Sequence, residues 1–134
     1  MPHKQESILI IGAGLCGSLL ALRLGQRGFK VRVIEMRQDL RKVDISAGRS
    51  INLALSSRGL KAIKMVGLES KVESLCIPMY GRMIHDTKGN TFLSNYSGRE
   101  NEFINSISRE LLTSLLLDEA EALDNVTIEF EKRC

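Results

Sequence analysis

The chain has 134 residues, 43% apolar and 26% charged, with a net charge of +3. That profile fits one soluble globular domain, or part of one, and there is no run of about 18 apolar residues of the kind a membrane-spanning helix needs. Lys and Arg are interspersed with carboxylates rather than gathered into a stripe, so a nucleic-acid partner is not indicated.

The start, Met1 to Ser7, lacks the apolar middle of a secretory signal, so a cytoplasmic protein is expected. Cys16, Cys76 and Cys134 are odd in number and widely spaced, with only His3 and His85 to help them. They predict reduced thiols, with neither a disulfide frame nor a metal site.

In chain order, Ile8 to Ile11 is a short apolar run that reads as a buried parallel strand. A helix is predicted from Leu15 to Arg27, closed by Gly28, followed by a second strand from Lys30 to Glu35. This is a βαβ unit. Met36 to Gly48 is charged and aperiodic, and reads as loop. Ser56 or Ser57 is placed to cap a helix with Leu60, Ile63 and Val66 on one face and Gly67 at its end. A further short helix carries Leu68, Val72 and Leu75.

Residues 79–107 change character. Tyr80, Arg82 and Ile84 alternate, as do Phe92, Ser94 and Tyr96, with turn residues Asp86 to Asn90 between them, which predicts an antiparallel excursion. Leu112, Leu116, Ala120 and Leu123 then mark a helix from Arg109 to Leu123 capped by Ser108, and Val126 to Phe130 is a last strand. An α/β sheet would be unfinished at Cys134, so the chain is expected to be a truncated piece of a larger enzyme.

The pattern GxGxxG is weak by itself, but Gly12, Gly14 and Gly17 stand directly after an apolar strand and at the opening of a helix. The first glycine permits a tight turn, the second lets backbone approach a diphosphate, and the third lets helix and strand pack closely. The diphosphate would rest on free amides where the helix dipole favours negative charge. Glu35 ends the second strand about 20 residues further on, where a ribose-binding acid belongs. A carboxylate there would repel a 2′-phosphate, so FAD or NAD is expected rather than NADP, and the spacing does not choose between them. Cys16 lies inside the loop with no base near it in sequence. It reads as a small filler at a cofactor-binding position.

Two arginines carry information. Arg109 falls in the first turn of a helix, where a cation opposes the dipole by about 0.3–1 kcal/mol unless an anion is near. It either points into solvent or faces a phosphate or ribose. Arg82 shares a strand face with Tyr80 and Ile84; its head either snorkels to water or aims into a pocket, ready for a carboxylate.

These residues, with GRSINLALSSRGLKAIKMVGLE (48–69), IPMYGRMIH (77–85) and SISRELL (106–112), make the sequence resemble the amino-terminal part of the kynurenine 3-monooxygenase family of flavoprotein aromatic hydroxylases. The glycine pattern is shared by many enzymes, whereas the longer stretches are far more specific. The resemblance implies a partial Rossmann-like α/β FAD-binding fold, with residues 79–107 belonging to a substrate-side sheet.

The same resemblance places Leu15, Glu35, Arg37 and Ala54 along the adenosine and ribityl portions of FAD, and matches Arg109 to an FAD-contacting arginine. Position 134, here Cys134, falls beside the adenine. Arg82 and Tyr96 match the pair that grips the amino-acid group of L-kynurenine, and a bidentate arginine suits that task. The implied reaction uses NADPH and O2 to make 3-hydroxykynurenine, with cofactor chemistry positioned by protein. No residue is singled out as a catalytic acid or base.

The family's second flavin motif and its carboxy-terminal helical part, which in eukaryotic members holds the mitochondrial outer membrane, have no counterpart within residues 1–134. The chain alone is therefore expected to be inactive, to bind FAD weakly, and to self-associate through its unfinished sheet. Competing readings are another flavin hydroxylase acting on a different aromatic acid, a nicotinamide-dependent dehydrogenase, and a non-catalytic nucleotide-binding module.

Overall fold

The structure is a computed structural model that describes residues 7–43 and 51–134. His3, the far end of the 36–48 loop and residues 48–50 lie outside it. In order, the elements are β1 (Ser7–Ile11), α1 (Leu15–Gln26), β2 (Lys30–Ile34), β3 (Asn52–Leu55), α2 (Ser57–Met65) and α3 (Glu69–Glu73). There follow β4 (Ile77–Met79), β5 (Gly81–His85), β6 (Thr91–Asn95), β7 (Ile104–Ser108), α4 (Arg109–Glu121) and β8 (Val126–Glu129).

Three strands form a parallel sheet in the order β1-β2-β8, with β2 central. Its register puts Val31 between Ile8 and Val126, and Val33 between Ile10 and Ile128, on one face. Helices α1 and α4 pack side by side and bury that face. Ala21 and Leu22 of α1 and Leu112, Leu116, Leu117 and Ala120 of α4 complete the core. Ser18 and Gly25 flank the α1 pair, so that residues 18, 21, 22 and 25 in α1, like 112, 116, 117 and 120 in α4, form one buried stripe of three- and four-residue steps.

The opposite face differs from expectation. Leu9 and Ile11, read as part of a fully buried strand, are 54% and 57% exposed. Among the described residues, helices cover one side of the sheet only, and the other side carries Leu9, Ile11 and Ile34 beside the Arg32–Glu129 ion pair.

The connection from α1 to β2 is held from a distance. Asn125 donates through its Nδ2 to the carbonyls of Gly25 and Phe29, at 2.8 and 2.7 Å. A Cβ on Gly25 would come within 2.5 Å of Val126 Cγ2, so α1 lies close against the start of β8. Helix α2 reaches α1 through backbone carbonyls at its end: Met65 O accepts from Arg23 and Val66 O from Gln26. On its predicted face Ile63 and Val66 are buried and Leu60 half-buried, and Gly67 takes the left-handed φ of +77° at its close; Leu68 and Val72 are buried as well, whereas Leu75, expected on the same short helix, lies beyond α3 and is exposed. Ser56 is the N-cap residue of α2, but its hydroxyl makes no capping bond.

Strand β3 has no counterpart in the sequence reading. Its four residues, NLAL, are too short and too weakly patterned to announce a strand, and they become one by pairing antiparallel with β7 some 50 residues later in the chain. β4 pairs with the other edge of β7. The predicted excursion is thus divided: β7 joins β3 and β4 in one antiparallel sheet, whereas β5 and β6 form a hairpin of their own. Asp86 closes that hairpin by accepting from the backbone amides of Lys88 and Asn90, with Gly89 at a φ of +85°.

Between β1 and α1 the chain turns at Gly12, whose φ of +99° favours glycine. A Cβ on Gly17 would stand 1.9 Å from the carbonyl oxygen of Gly12. Gly17→Ala is therefore expected to destabilise the protein by about 1–3 kcal/mol, lowering the melting temperature by roughly 4 °C or more. An unchanged melting temperature in circular dichroism would show that helix and turn are not in contact.

Candidate functional site

The first turn of α1 holds no carboxylate, and its N-cap, Gly14, has no side chain to satisfy the amides that follow. The leading N–H groups of a helix lack intrahelical partners and carry the positive end of its dipole. A buried hydroxyl steadies the turn: Ser18 Oγ donates toward the carbonyls of Ala13 and Gly14, at 3.0 and 2.8 Å. Unlike Gly17, Gly14 faces open space, since a Cβ there would meet nothing within 4 Å.

That space is a cleft. Ala13, Gly14 and Leu15 form one wall, and Glu35, Arg37, Gln38 and Leu40 from the segment after β2 form another. Arg109, Glu110 and Thr113 of α4, with Ile51 and Phe130, complete its lining. The start of α4 is fastened there: Arg109 donates its amide to Ile51 O at 3.1 Å, and Ser108 caps the helix by accepting from Leu111 N–H.

Glu35 is turned toward the glycine turn. Its Oε2 accepts from the Ala13 amide at 2.8 Å and its Oε1 from the Arg37 amide at 2.9 Å. A carboxylate offers about four acceptor sites, so those facing the cleft remain for a pair of hydroxyls. The donor set fits a dinucleotide in kind: bare amides and Arg109 for a diphosphate, an anchored acid for a sugar diol, and Leu40 and Phe130 as apolar surface.

Of the residues anticipated as cofactor-binding, Gly14, Leu15, Glu35, Arg37 and Arg109 are brought together at this cleft. Gly12 and Cys134 line an adjoining hollow that shares Glu35 and Arg37 with it. Gly17 packs behind the turn, Cys16 is exposed on α1, and Ala54 is exposed on β3; none of these three lines the cleft.

Arg82 and Tyr96 lie elsewhere, on the β5–β6 hairpin. Arg82 is paired with Ser94, and Tyr96 donates its amide to Tyr80 O, so Tyr80, Arg82, Ser94 and Tyr96 share one face. The two side chains are diagonal neighbours, about 7–8 Å apart at the backbone. Tyr96 also lines a hollow with Ser56, Ser57 and Phe103.

Sequence reasoning missed Ala13, Gln38, Leu40, Ile51, Glu110, Thr113 and Phe130. Two of these left a usable signal: Ala13 lies between Gly12 and Gly14, and Thr113 stands one helical turn after Arg109, whose carbonyl accepts from its hydroxyl at 2.7 Å. It also missed Arg41. The guanidinium of Arg41 pairs with Asp39 at 2.7 Å, with Asp118 and Glu121 of α4 at 2.7 Å each, and stands 5.7 Å over the ring of Phe130. Asp39 is buried, and its hydrogen bonds from Arg41 hold its carboxyl below the ordinary carboxylate range although burial opposes this.

Two outcomes follow from this geometry. Gly14→Ala adds a methyl that the fold accommodates, so the melting temperature stays that of the parent while FAD binding, read by quenching of flavin fluorescence, weakens; equal affinity in the two proteins would mean that no ligand approaches Gly14. Because the folded-state pKa of Asp39 is depressed, its contribution to stability is present above the unfolded value of about 3.9 and is lost as pH falls through the folded value. Below pH about 4 the melting temperature of the parent should therefore fall more steeply than that of Asp39→Asn, which keeps Asp118 and Glu121 but cannot titrate at position 39. Parallel curves would contradict this.

A family described as FAD binding domain matches residues 5–134. Kynurenine 3-monooxygenase of Cytophaga hutchinsonii is 51% identical over 132 residues, covering 97% of this chain and 29% of that protein. The pig (Sus scrofa) protein of the same name is 46% identical over 127 residues, 95% of this chain and 27% of its own length. This chain thus spans little more than a quarter of the curated relatives it matches.

Among solved structures, tetrameric 2-methyl-3-hydroxypyridine-5-carboxylic acid oxygenase superposes with a TM-score of 0.73 at 22% identity, over 96% of this chain and 32% of that one. PqsL of P. aeruginosa, in complex with 2-aminobenzoylacetate, gives 0.70 at 26% identity over 94% and 34%. Both likenesses lie in the fold.

Proposed function

We propose, for a chain that belongs to the FAD binding domain family, that it is part of an FAD-dependent, NADPH-consuming hydroxylase converting L-kynurenine to 3-hydroxykynurenine. The observation that carries this reading is the convergence of the α1 amino terminus, Glu35 and Arg109 on one cleft. Similarity of 42–51% to proteins named kynurenine 3-monooxygenase supports the choice of substrate.

Bound FAD would supply the transfer of electrons from NADPH and the activation of O2, chemistry that side chains lack. The chain's own residues bind and orient. The α1 amides and Arg109 hold the diphosphate, where dipole and cation act together on its charge. Glu35 clasps the ribose hydroxyls and disfavours a 2′-phosphate by charge repulsion. On the hairpin, the Arg82 guanidinium meets the substrate carboxylate in a two-point contact, and the Tyr96 hydroxyl, one diagonal step away, adds a further hydrogen bond to the same group.

The test uses the full-length reading frame. A yellow protein that hydroxylates kynurenine is the expected result; a colourless one favours a nicotinamide-dependent dehydrogenase, and turnover of 4-hydroxybenzoate alone favours another hydroxylase. Arg82→Ala should raise KM for kynurenine about tenfold or more, the loss of a charged hydrogen bond, with flavin content intact. Loss of flavin instead would mean that Arg82 serves the cofactor.

A specific observation favours a second reading for the 134-residue chain by itself. Among the described residues β1 pairs on one side only, with Leu9 and Ile11 bare beside its free edge. Such an edge favours association between copies, and a clean monomer in light scattering at high concentration would count against it.

A further inference from the structure

The segment after β2 supplies Arg37, Gln38 and Leu40 to the cleft, yet it contains no helix or strand to hold it there. Its amino-terminal part is tied by Glu35 and by the Glu131 amide, which donates to Arg37 O at 3.1 Å. Beyond that, the polar ties from its side chains to α4 run through Arg41. One face of the Arg41 cluster is Asp39, within the same segment; the other is Asp118 and Glu121, on the α4 helix whose first turn carries Arg109 into the cleft. Phe130, which the guanidinium overlies, lines the cleft too.

From this we infer that Arg41 is a positioning residue for the adenylate half of the cofactor: it locks the 36–41 segment to α4 and to Phe130, and so makes the cleft select a flavin dinucleotide over a flavin mononucleotide. The inference rests on the reading of the cleft as an FAD site. Three observations carry it. Arg41 is bonded both within the segment and to α4, two parts of the fold that line the cleft, as Glu35 joins the start of the segment to the glycine turn. Its side chain is only 18% exposed, and that of Asp39 only 5%, so the pair is largely withdrawn from solvent screening. Its planar head donates to three carboxylates while its charge lies 5.7 Å from the centre of the Phe130 ring, a set of fixed bonds that a lysine's compact ammonium does not reproduce.

The clamp touches none of the residues at the start of α1. Releasing it therefore affects the ligand only through the segment that meets the adenosine. When the binding-competent arrangement is populated a fraction of the time, the apparent dissociation constant rises by the inverse of that fraction. FMN, which ends at its single phosphate, has nothing to lose from a loosened segment.

The experiment titrates full-length apoprotein with FAD and, separately, with FMN, following flavin fluorescence, for the parent, Arg41→Met, Arg41→Lys and the double variant Asp118→Asn/Glu121→Gln. The parent is expected to bind FAD more tightly than FMN. Arg41→Met should weaken FAD roughly tenfold, as for a segment in place about a tenth of the time, and leave FMN unchanged; Arg41→Lys should recover part of the loss. The double variant removes only the α4 half of the clamp at exposed positions, so it tests the same idea should Arg41→Met fail to fold, and it too should weaken FAD alone. Equal weakening of both ligands, or no change in either, would overturn the inference while leaving the cleft reading in place. A parent that binds FMN as tightly as FAD would remove the adenylate site itself, and Arg41's role with it.

Discussion

Helix α1 and the turn that precedes it meet backbone to backbone: no side chain separates Gly17 from the carbonyl of Gly12. That contact sets where the helix begins, and therefore where its unpaired amides and the positive end of its dipole are presented. Ser18 fastens the same turn from inside, Glu35 reaches across from the end of β2 to the Ala13 amide, and the buried face of α1 carries α4 alongside it. Moving α1 outward by the width of one methyl would disturb all three attachments, because interiors packed at crystal density transmit such displacements rather than absorb them.

The cleft that results is built from parts with opposite electrostatic roles. Residues of the first turns of α1 and α4 both line it, and Arg109 adds a full positive charge beside the negative charge of Glu110. Left without an anion, that arrangement opposes Arg109; a diphosphate reverses the sign of the interaction. Glu35 stands beside the glycine turn, where its own charge is offset by two amides and where it can meet neutral hydroxyls. The adjoining segment has no secondary structure to stiffen it, and Arg41 provides ion pairs and an aromatic contact in place of a hydrogen-bond ladder.

Away from this region the chain is less self-sufficient. The β5–β6 hairpin exposes Met83 and Leu93 on one face and Phe92 and Tyr96 on the other. An isolated two-stranded hairpin in water is marginal, so this element relies on its Asp86 turn and on the contact of Tyr80 with Phe103, whose ring centres are 5.4 Å apart. Alternation in the sequence gives the faces of each strand separately, and the strand register is what puts Arg82 and Tyr96 on the same one.

What the amino-acid sequence determined by itself is local: the β1-α1-β2 unit, the α4 helix with its Ser108 cap, the hairpin turn, and the positions of Gly12, Gly14, Gly17 and Glu35 in relation to them. Each rests on a period, a cap or a turn that neighbouring residues impose on one another. The tertiary structure alone decided that NLAL becomes a strand, that Leu9 and Ile11 lie on an uncovered face, and that Leu40, Thr113 and Phe130 meet around one cleft. It also decided that Arg41 finds carboxylates 77 and 80 positions away. Those pairings join segments far apart along the chain, and no local pattern records them, because their energy is realised only when packing brings the segments together.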